Sequence, residues 1–432
     1  MFFSIPDTTE VSARSSSNQQ AYTLFNIHIN GIHHCSLRYS QLRTFNEELH
    51  RLLPTAMSQI ESFPPKKLFS LSPKDIDERR VLLEHYLQSI VQNKYIVTTS
   101  YFNEFFLNAQ RETFTLKTMG LDDKINFKIN LLNKHELTIE NVSPNDSTTR
   151  LMDACALKIQ LNEDFVSYFA LYLYVQNKNQ LNILRPLYDF ESPYFSLQQT
   201  KKIHEHACVV LKKSYWDLNF DLDLINDSRA RKLLFVQAEY EIEQSESFYP
   251  SDISRQLEVL RENNSFKEYL LLARTSKFYG HIFLRECSIP FPIDDKTKQK
   301  LCQCLVAIGN NEIICCISEG DKKKLKEIAF KVIRIRCWKV NRTKSETSLA
   351  IEYLVKKDTL EWITIHTEQA ALISSCLQSM VDEILSKRTE TTSIEETPVK
   401  SSSGNGLATR RESELERLNN IVFDRGEDDE DL

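Results

Sequence analysis

Arg38-Tyr39-Ser40, Pro64-Pro65-Lys66-Lys67 and Arg79-Arg80 are the stretches of this sequence that decide the fold of its first domain. The first ends a predicted strand, the second lies on a loop that two prolines stiffen, and the third opens a predicted helix. A small fold that brings these three segments together would suit a phosphorylated headgroup, because a guanidinium can bind one phosphate through two parallel hydrogen bonds.

The pattern around these stretches predicts one domain over residues 21–111. Phe25 to Ile29 alternates between apolar and polar residues, Asn30-Gly31 is a strong hairpin signal, and a second strand continues to Arg38. Residues 7–20 are polar and serine-rich, and the amino-terminal segment 1–20 is expected to be flexible. Two helices follow the hairpin, on apolar residues at helical spacing: Leu42, Phe45, Leu49 and Leu52, then Leu83, Tyr86, Leu87 and Ile90.

Three further modules and a tail are predicted after this domain. Residues 114–204 have the order strand hairpin, helix, strand; residues 205–274 have helical spacing; and residues 275–387 are rich in short strands, with a closing helix from Glu368 to Lys387. Residues 388–432 begin with a Ser/Thr/Gly-rich stretch and end in a dense acidic cluster, which predicts a disordered tail.

Composition excludes several classes of function. The chain has 432 residues and a net charge of −6, which argues against a nucleic-acid binder and confines any membrane attraction to a local basic patch. No GxxxxGK[ST], GxGxxG, HExxH or GxSxG motif occurs, and the ten cysteines lack a zinc spacing, so no cofactor, metal or enzymatic activity is expected. His33-His34-Cys35 lies on the predicted hairpin and is not expected to be catalytic. Without a signal peptide, membrane span or heptad run, a cytosolic monomer is expected.

Several long segments in a fixed order resemble the PX–FERM sorting nexin family. The resemblance implies an α+β multidomain fold: a PX domain of sheet plus helices, then a FERM-like module with ubiquitin-like, helical and PTB/PH-like lobes, and a disordered tail. The segments that carry it are Phe3-Ser4-Ile5-Pro6, residues 38–42, residues 63–71, Lys213-Ser214-Tyr215-Trp216-Asp217, Arg336-Cys337-Trp338-Lys339-Val340, residues 376–383 and Asp429-Glu430-Asp431-Leu432.

In the PX domain, the resemblance implies a pocket for phosphatidylinositol 3-phosphate. Arg38, with Ser40 beside it, would bind the 3-phosphate, Tyr39 would stack under the inositol ring, Lys66 would reach the 1-phosphate, and Arg79 would bond the ring hydroxyls. Lys67 and Arg80 are interpreted as surface cations. Three apolar residues beside the proline loop would insert into the bilayer: Leu68, Phe69 and Leu71. The alternative is that the cations of the pocket are solvated surface residues and that Leu68 and Phe69 are ordinary core.

In the strand-rich lobe, the resemblance implies a groove that captures a peptide by adding a strand to an exposed sheet edge. Trp338 and Val340 would lie on the edge strand, with Val381 and Leu385 on the closing helix. The ligand would be an Asn-Pro-x-Tyr or Asn-x-x-Tyr tail of a transmembrane receptor, such as lipoprotein-receptor or integrin-type cargo. The alternative is that these four side chains are core; Tyr215 and Trp216 are interpreted as packing residues.

The acidic carboxyl terminus follows an apolar cluster. Resemblance implies that it docks on the retriever recycling complex, with Asp431 and Leu432 most critical and Phe423, Asp429 and Glu430 contributing. The alternative is a solubilising acidic tail. The whole chain is then expected to be a peripheral adaptor on the cytoplasmic face of early endosomes, which returns receptors to the cell surface instead of to lysosomes. The competing hypothesis is a FERM-type cytoskeletal or signalling scaffold that the PX domain only locates.

Overall fold

The computed structural model describes residues 1–12, 21–67, 71–118, 123–177, 180–244, 250–292, 299–318, 325–343 and 346–394. The chain divides into two compact units, Met1–Lys213 and Ser214–Leu432. Within the described residues, no helix is long and apolar enough to cross a membrane.

The first half of the first unit is a three-stranded antiparallel sheet, in the order β1-β2-β3, followed by helices. Asn30 and Gly31 both have positive φ, at 48° and 85°, which is the backbone that a tight two-residue hairpin requires. The elements are β1 (Phe3–Val11), β2 (Tyr22–Ile29), β3 (Ile32–Arg38), α1 (Tyr39–Leu52), α2 (Pro54–Met57), α3 (Pro73–Gln92), α4 (Lys94–Val97) and α5 (Ser100–Thr118).

The prediction that residues 1–20 are flexible is wrong for β1. Phe3 and Ile5 alternate into the core and are fully buried, and the strand pairs along β2 from Phe3 opposite Ile29 onward. The polar half of β1 is held by side chains, since the amide of Asn26 donates to the hydroxyl of Thr9 over 2.9 Å. Residues 13–20, the rest of this predicted segment, lie outside the described residues.

The second half of the first unit is a five-stranded sheet in the order β5-β4-β8-β6-β7, with β4 and β8 parallel. Its elements are β4 (Ile125–Asn130), β5 (Glu136–Val142), α6 (Thr148–Ile159), α7 (Glu163–Val166), β6 (Phe169–Asn177), β7 (Gln180–Pro186), α8 (Pro193–Lys201) and β8 (Ala207–Lys213).

The expectation that the helical pattern begins near residue 205 is wrong for β8. Its apolar run Val209–Leu211 is buried because β8 is an inner strand of the sheet, and a short apolar run has no periodicity that separates a strand from a helix.

The two halves of the first unit share one interior. Phe190, from the second half, packs edge-on against Phe3 and Phe102 of the first half, with ring centroids 6.0 and 5.3 Å apart. Gln110 on α5 accepts a hydrogen bond from the backbone N–H of Ser192 (2.7 Å) and donates one to the Ser196 hydroxyl (3.0 Å). These buried bonds couple the two halves mechanically.

A buried ion pair lies beside this junction. Arg185 and Glu191 are 2% and 0% exposed, and the guanidinium donates two hydrogen bonds of 2.6 and 2.8 Å to the carboxylate. Burial alone would raise the pKa of Glu191, but the charge and hydrogen bonds of Arg185 outweigh it and hold that pKa below its ordinary value. The pair is therefore ionised at neutral pH.

His34 gives this junction a predicted dependence on pH. Its side chain is buried, its Nε2 lies 3.2 Å from the carbonyl oxygen of Phe106, and burial lowers its pKa from 6.5 to about 4. Between these values the unfolded chain binds the proton and the folded chain does not. The free energy of unfolding should therefore fall as the pH drops through this window, by about 1.4 kcal/mol per pH unit for each such group.

Urea unfolding of the full chain at pH 7 and pH 5 measures this fall. His33, whose pKa burial also lowers to about 4, contributes a second share. We expect His34→Gln to keep a hydrogen-bonding side chain while reducing the pH-dependent loss by roughly half. An equal loss in wild type and His34→Gln would contradict the assignment to His34.

The second unit begins with helices and continues into a seven-stranded antiparallel sheet, in the order β12-β11-β10-β9-β15-β14-β13. Its elements are α9 (Phe220–Leu224), α10 (Ser228–Gln244), α11 (Ser251–Glu262), α12 (Phe266–Ala273), β9 (Ile282–Phe291), β10 (Lys300–Gly309), β11 (Glu312–Ser318), β12 (Leu325–Lys331), β13 (Ile335–Arg342), β14 (Thr347–Lys356), β15 (Thr359–His366) and α13 (Ala370–Ile394). The closing helix thus ends at Ile394, beyond the predicted Lys387. It packs against β13 and β14.

Candidate functional sites

Tyr39 joins the three cationic segments of the first domain. It opens α1 directly after Arg38, its hydroxyl donates to the carbonyl of Pro64 over 2.8 Å, and its ring carries the guanidinium of Arg79, with Cζ 4.2 Å from the ring centroid. Partial burial raises the pKa of Tyr39 although Arg79 lies close, so the phenol is protonated and able to donate at neutral pH. Tyr39 thereby contacts both the proline loop and α3, and it directly follows the end of β3 in sequence.

Arg79 carries a feature that points to a ligand. Its side chain lies in α3 and the residue is only 8% exposed, yet its Nη2 is buried and has no hydrogen-bond partner in the described part of the chain. An unpaired buried donor on a charged group is costly, and native structures retain one mainly where something else satisfies it. An anionic or hydroxyl-bearing ligand at this position would do so.

The other predicted pocket residues are exposed. Arg38 is turned onto the ring of Tyr22, with Cζ 3.3 Å from the centroid, and its backbone N–H donates to Gln41 over 2.9 Å. Ser40 lies in the first turn of α1, and Lys66 follows the loop carbonyl that Tyr39 holds. Arg38, Ser40 and Lys66 are thus accessible to solvent.

The neighbouring cations have structural partners instead. Lys67 pairs with Asp75 and, at 3.6 Å, with Glu78. Arg80 pairs with Asp77 at 2.8 Å and donates to the carbonyl of Ile5 over 2.6 Å, which ties α3 to β1. The assignment of the pocket to Lys66 and Arg79, rather than to these two residues, stays a prediction.

The predicted insertion residues are only partly described. Leu71 is half-buried just before α3, and Leu68 and Phe69 lie outside the described residues.

His34 and Cys35 are buried on β3, and burial raises the pKa of the Cys35 thiol far above its ordinary value. A buried protonated thiol is a poor nucleophile.

The residues of the predicted peptide groove lie on β13, at one edge of the large sheet, and on α13. β13 pairs with β14 on one side and is last in the strand order, so an added strand would find its other side open among the described strands. Trp338 is 4% exposed, and its indole N–H donates to the hydroxyl of Ser374 on α13 over 3.0 Å. Trp338 thus forms the packed floor between strand and helix, while Val340, two residues on and half-buried, offers accessible surface.

The helix side of the predicted groove is formed by residues of α13 at helical spacing. Ser374, Val381 and Leu385 recur at intervals that place them on one face of α13. Val381 is 8% exposed and Leu385 is half-buried. Of the four predicted groove residues, Val340 and Leu385 therefore present the accessible surface, whereas Trp338 and Val381 are mainly packing.

A clamp on α13 was missed by the sequence analysis. The carboxylate of Glu383 accepts hydrogen bonds from the backbone N–H groups of Trp216 and Asp217, at 2.8 and 2.7 Å. The Trp216 indole donates to Ser379 over 2.9 Å, and Lys387 pairs with Asp217. The only signal was the spacing of residues 379, 383 and 387, which puts three polar groups on one helix face. The clamp holds α13 against residues 216 and 217.

The predicted partner motif, Phe423 with Asp429, Glu430, Asp431 and Leu432, lies outside the described residues.

Four known domain families match the chain, in the order of the observed modules. They are the PX domain (residues 25–109), the F1 lobe of the FERM domain of sorting nexins 17, 27 and 31 (125–216), the F2 lobe of the FERM domain of sorting nexins 17 and 31 (217–277), and the Sorting Nexin 17 FERM C-terminal domain (280–385).

Curated relatives match nearly the whole chain. Sorting nexin-17 of Danio rerio is 36% identical over 406 residues, and that of Homo sapiens is 35% identical over 405 residues; each match covers 90% of this chain and 82% of the relative. Sorting nexin-31 of Homo sapiens is 32% identical over 402 residues, covering 90% of this chain and 86% of that protein. The chain therefore belongs to the sorting nexin family, as a member that combines a PX domain with the FERM lobes of sorting nexins 17 and 31.

Proposed function

We propose that this chain is an endosomal cargo adaptor. Its PX domain binds phosphatidylinositol 3-phosphate, its third FERM lobe captures Asn-Pro-x-Tyr or Asn-x-x-Tyr tails of receptors, and its acidic tail recruits the retriever complex for return to the cell surface. Two weak contacts on one chain add through effective concentration at a membrane that carries both lipid and receptor.

The observation that carries this proposal is the convergence on Tyr39. A buried guanidinium with an unsatisfied donor, an aromatic ring and the proline loop meet at one residue, with Arg38 and Lys66 exposed beside them. Arg79 supplies a bond to an inositol hydroxyl, Arg38 a bidentate contact to the 3-phosphate, and Lys66 a point charge for the 1-phosphate.

The cargo half of the proposal rests on the edge strand. A peptide that pairs with β13 places alternate side chains toward α13, where Val340 and Leu385 supply apolar contact above the Trp338 floor. Glu383 fixes α13 against the backbone of residues 216 and 217 through two hydrogen bonds.

Leu385→Ala is expected to weaken binding of an Asn-Pro-x-Tyr peptide about ten-fold, since removing a partly covered leucine contact costs about 1–2 kcal/mol. Fluorescence-anisotropy titration of a labelled peptide with the full chain measures this. Leu301→Ala is the matched control, because Leu301 is an exposed leucine (59%) on β10 of the same lobe.

Trp338→Ala is a less informative variant. Its large buried ring and its bond to Ser374 make a loss of about 3–5 kcal/mol of stability the expected result, so binding and folding would fail together. Equal peptide affinity of wild type and Leu385→Ala would contradict the groove assignment.

A further inference from the structure

Tyr22 lies directly under the guanidinium of Arg38. In the antiparallel register of β2 and β3, Leu24 is opposite Arg38, so Tyr22 is the diagonal neighbour on the same face of the sheet. The Cζ atom of Arg38 is 3.3 Å from the centroid of the Tyr22 ring. Tyr22 belongs to none of the three cationic segments that form the pocket.

The geometry leaves the binding edge of the arginine open. Stacking occupies a face of the planar guanidinium, whereas its N–H groups lie in the plane and point outward. In the described part of the chain, these N–H groups make no ion pair or hydrogen bond with the protein, and only the backbone N–H of Arg38 is bonded, to Gln41. The ring thus restrains the side chain without using its donors.

We infer that Tyr22 is a positioning residue for phosphoinositide binding, which holds the planar fork of Arg38 in the orientation that receives the 3-phosphate. The inference rests on the proposed lipid-binding function. An exposed arginine without this ring would sample many rotamers and lose that freedom on binding. Pre-orientation removes part of this cost and fixes the plane in which two parallel hydrogen bonds can form.

The test uses the full chain and phosphatidylcholine vesicles with and without phosphatidylinositol 3-phosphate. Tyr22→Leu should bind the lipid about five-fold more weakly, while Tyr22→Phe, which keeps the ring, should bind like wild type. Tyr95→Leu is the control, because Tyr95 is an exposed tyrosine (67%) on α4. Thermal unfolding of each variant reports whether the fold is intact.

Two further arms separate positioning from other roles. In an Arg38→Lys background, whose point charge has no plane to orient, Tyr22→Leu should change affinity by less than about two-fold. Competition by soluble inositol 1,3-bisphosphate should weaken in parallel with vesicle binding, because the effect acts on the phosphate.

Four outcomes would overturn the inference. Unchanged lipid binding by Tyr22→Leu would contradict the positioning role of Tyr22 and leave the proposed function intact. An equal loss in the Arg38→Lys background assigns Tyr22 to general stability, and a loss on vesicles but not with the soluble headgroup assigns it to membrane contact. If the wild type fails to bind the lipid, the proposed function falls and this inference falls with it.

Discussion

Arg38→Ala should bind phosphatidylinositol 3-phosphate vesicles about a hundred-fold more weakly than the wild-type chain, with no change in the fold. Charge-assisted hydrogen bonds contribute about 1.5–3 kcal/mol, and the loss of a bidentate pair to the phosphate accounts for a hundred-fold change. The side chain is exposed and, among the described residues, stacks on Tyr22 alone, so its removal leaves no buried group there without a partner.

Arg79 is a poorer choice for this experiment although it lies deeper in the pocket. It is 8% exposed and packs on the ring of Tyr39, so Arg79→Ala would open a cavity as well as remove a donor. A loss of binding in that variant would mix folding with recognition.

Vesicle co-sedimentation and thermal unfolding together give the result for Arg38→Ala. Arg51→Ala is the matched control, because Arg51 is an exposed arginine of the same domain that pairs with Glu48 on the surface of α1. Arg38→Ala that unfolds like wild type and still binds the lipid with unchanged affinity would exclude Arg38 from the pocket.

The sequence predicts the parts of this fold that local chemistry controls. Asn30-Gly31 predicts the hairpin because few residues other than glycine and asparagine accept positive φ without strain. The helical spacing of Leu83, Tyr86, Leu87 and Ile90 predicts the helix observed as α3. β1 and β8 were missed because their assignment depends on distant partners. β1 is stabilised by pairing with β2 and by burial of Phe3, and β8 by the neighbours on both of its sides.

The candidate sites show the same contrast between what local sequence predicts and what depends on distant partners. Resemblance supplied Arg38, Tyr39, Lys66 and Arg79, but no pattern in the sequence indicated that one tyrosine would hold three segments together. Tyr22 and Glu383 were missed for a related reason, since each acts through a residue far away in sequence or on another strand. Contacts of this kind depend on tertiary structure.

The buried pair of Arg185 and Glu191 carries the largest expected effect on stability. Glu191 accepts two hydrogen bonds from Arg185 and one each from the Ser196 hydroxyl (2.6 Å) and the backbone N–H of Tyr188 (3.0 Å). Glu191→Ala would leave a buried guanidinium without its counter-charge, and the loss of one partner of a buried pair costs about 3–5 kcal/mol. Ser196 also bonds to Gln110, so the loss should extend to both halves of the unit.

Chemical unfolding followed by circular dichroism measures the free energy of unfolding for wild type and Glu191→Ala. The control is Glu163→Ala, which removes an exposed carboxylate from α7 and should change stability by less than about 0.5 kcal/mol. Replacing both partners, as Arg185→Met with Glu191→Leu, should restore much of the loss because no charge is then left buried.

This double variant also separates two roles of the junction. If the pair serves stability alone, the refolded double variant should bind lipid like wild type, since Arg38, Tyr39 and Arg79 lie outside the ion pair. If Glu191→Ala were as stable as wild type, the buried pair would not hold the unit together, and the shared aromatic interior around Phe190 would have to do so alone. The PX domain and the first FERM lobe lie in one compact unit. We therefore expect the stability of the junction to determine how rigidly the lipid-bound PX domain is attached to that lobe.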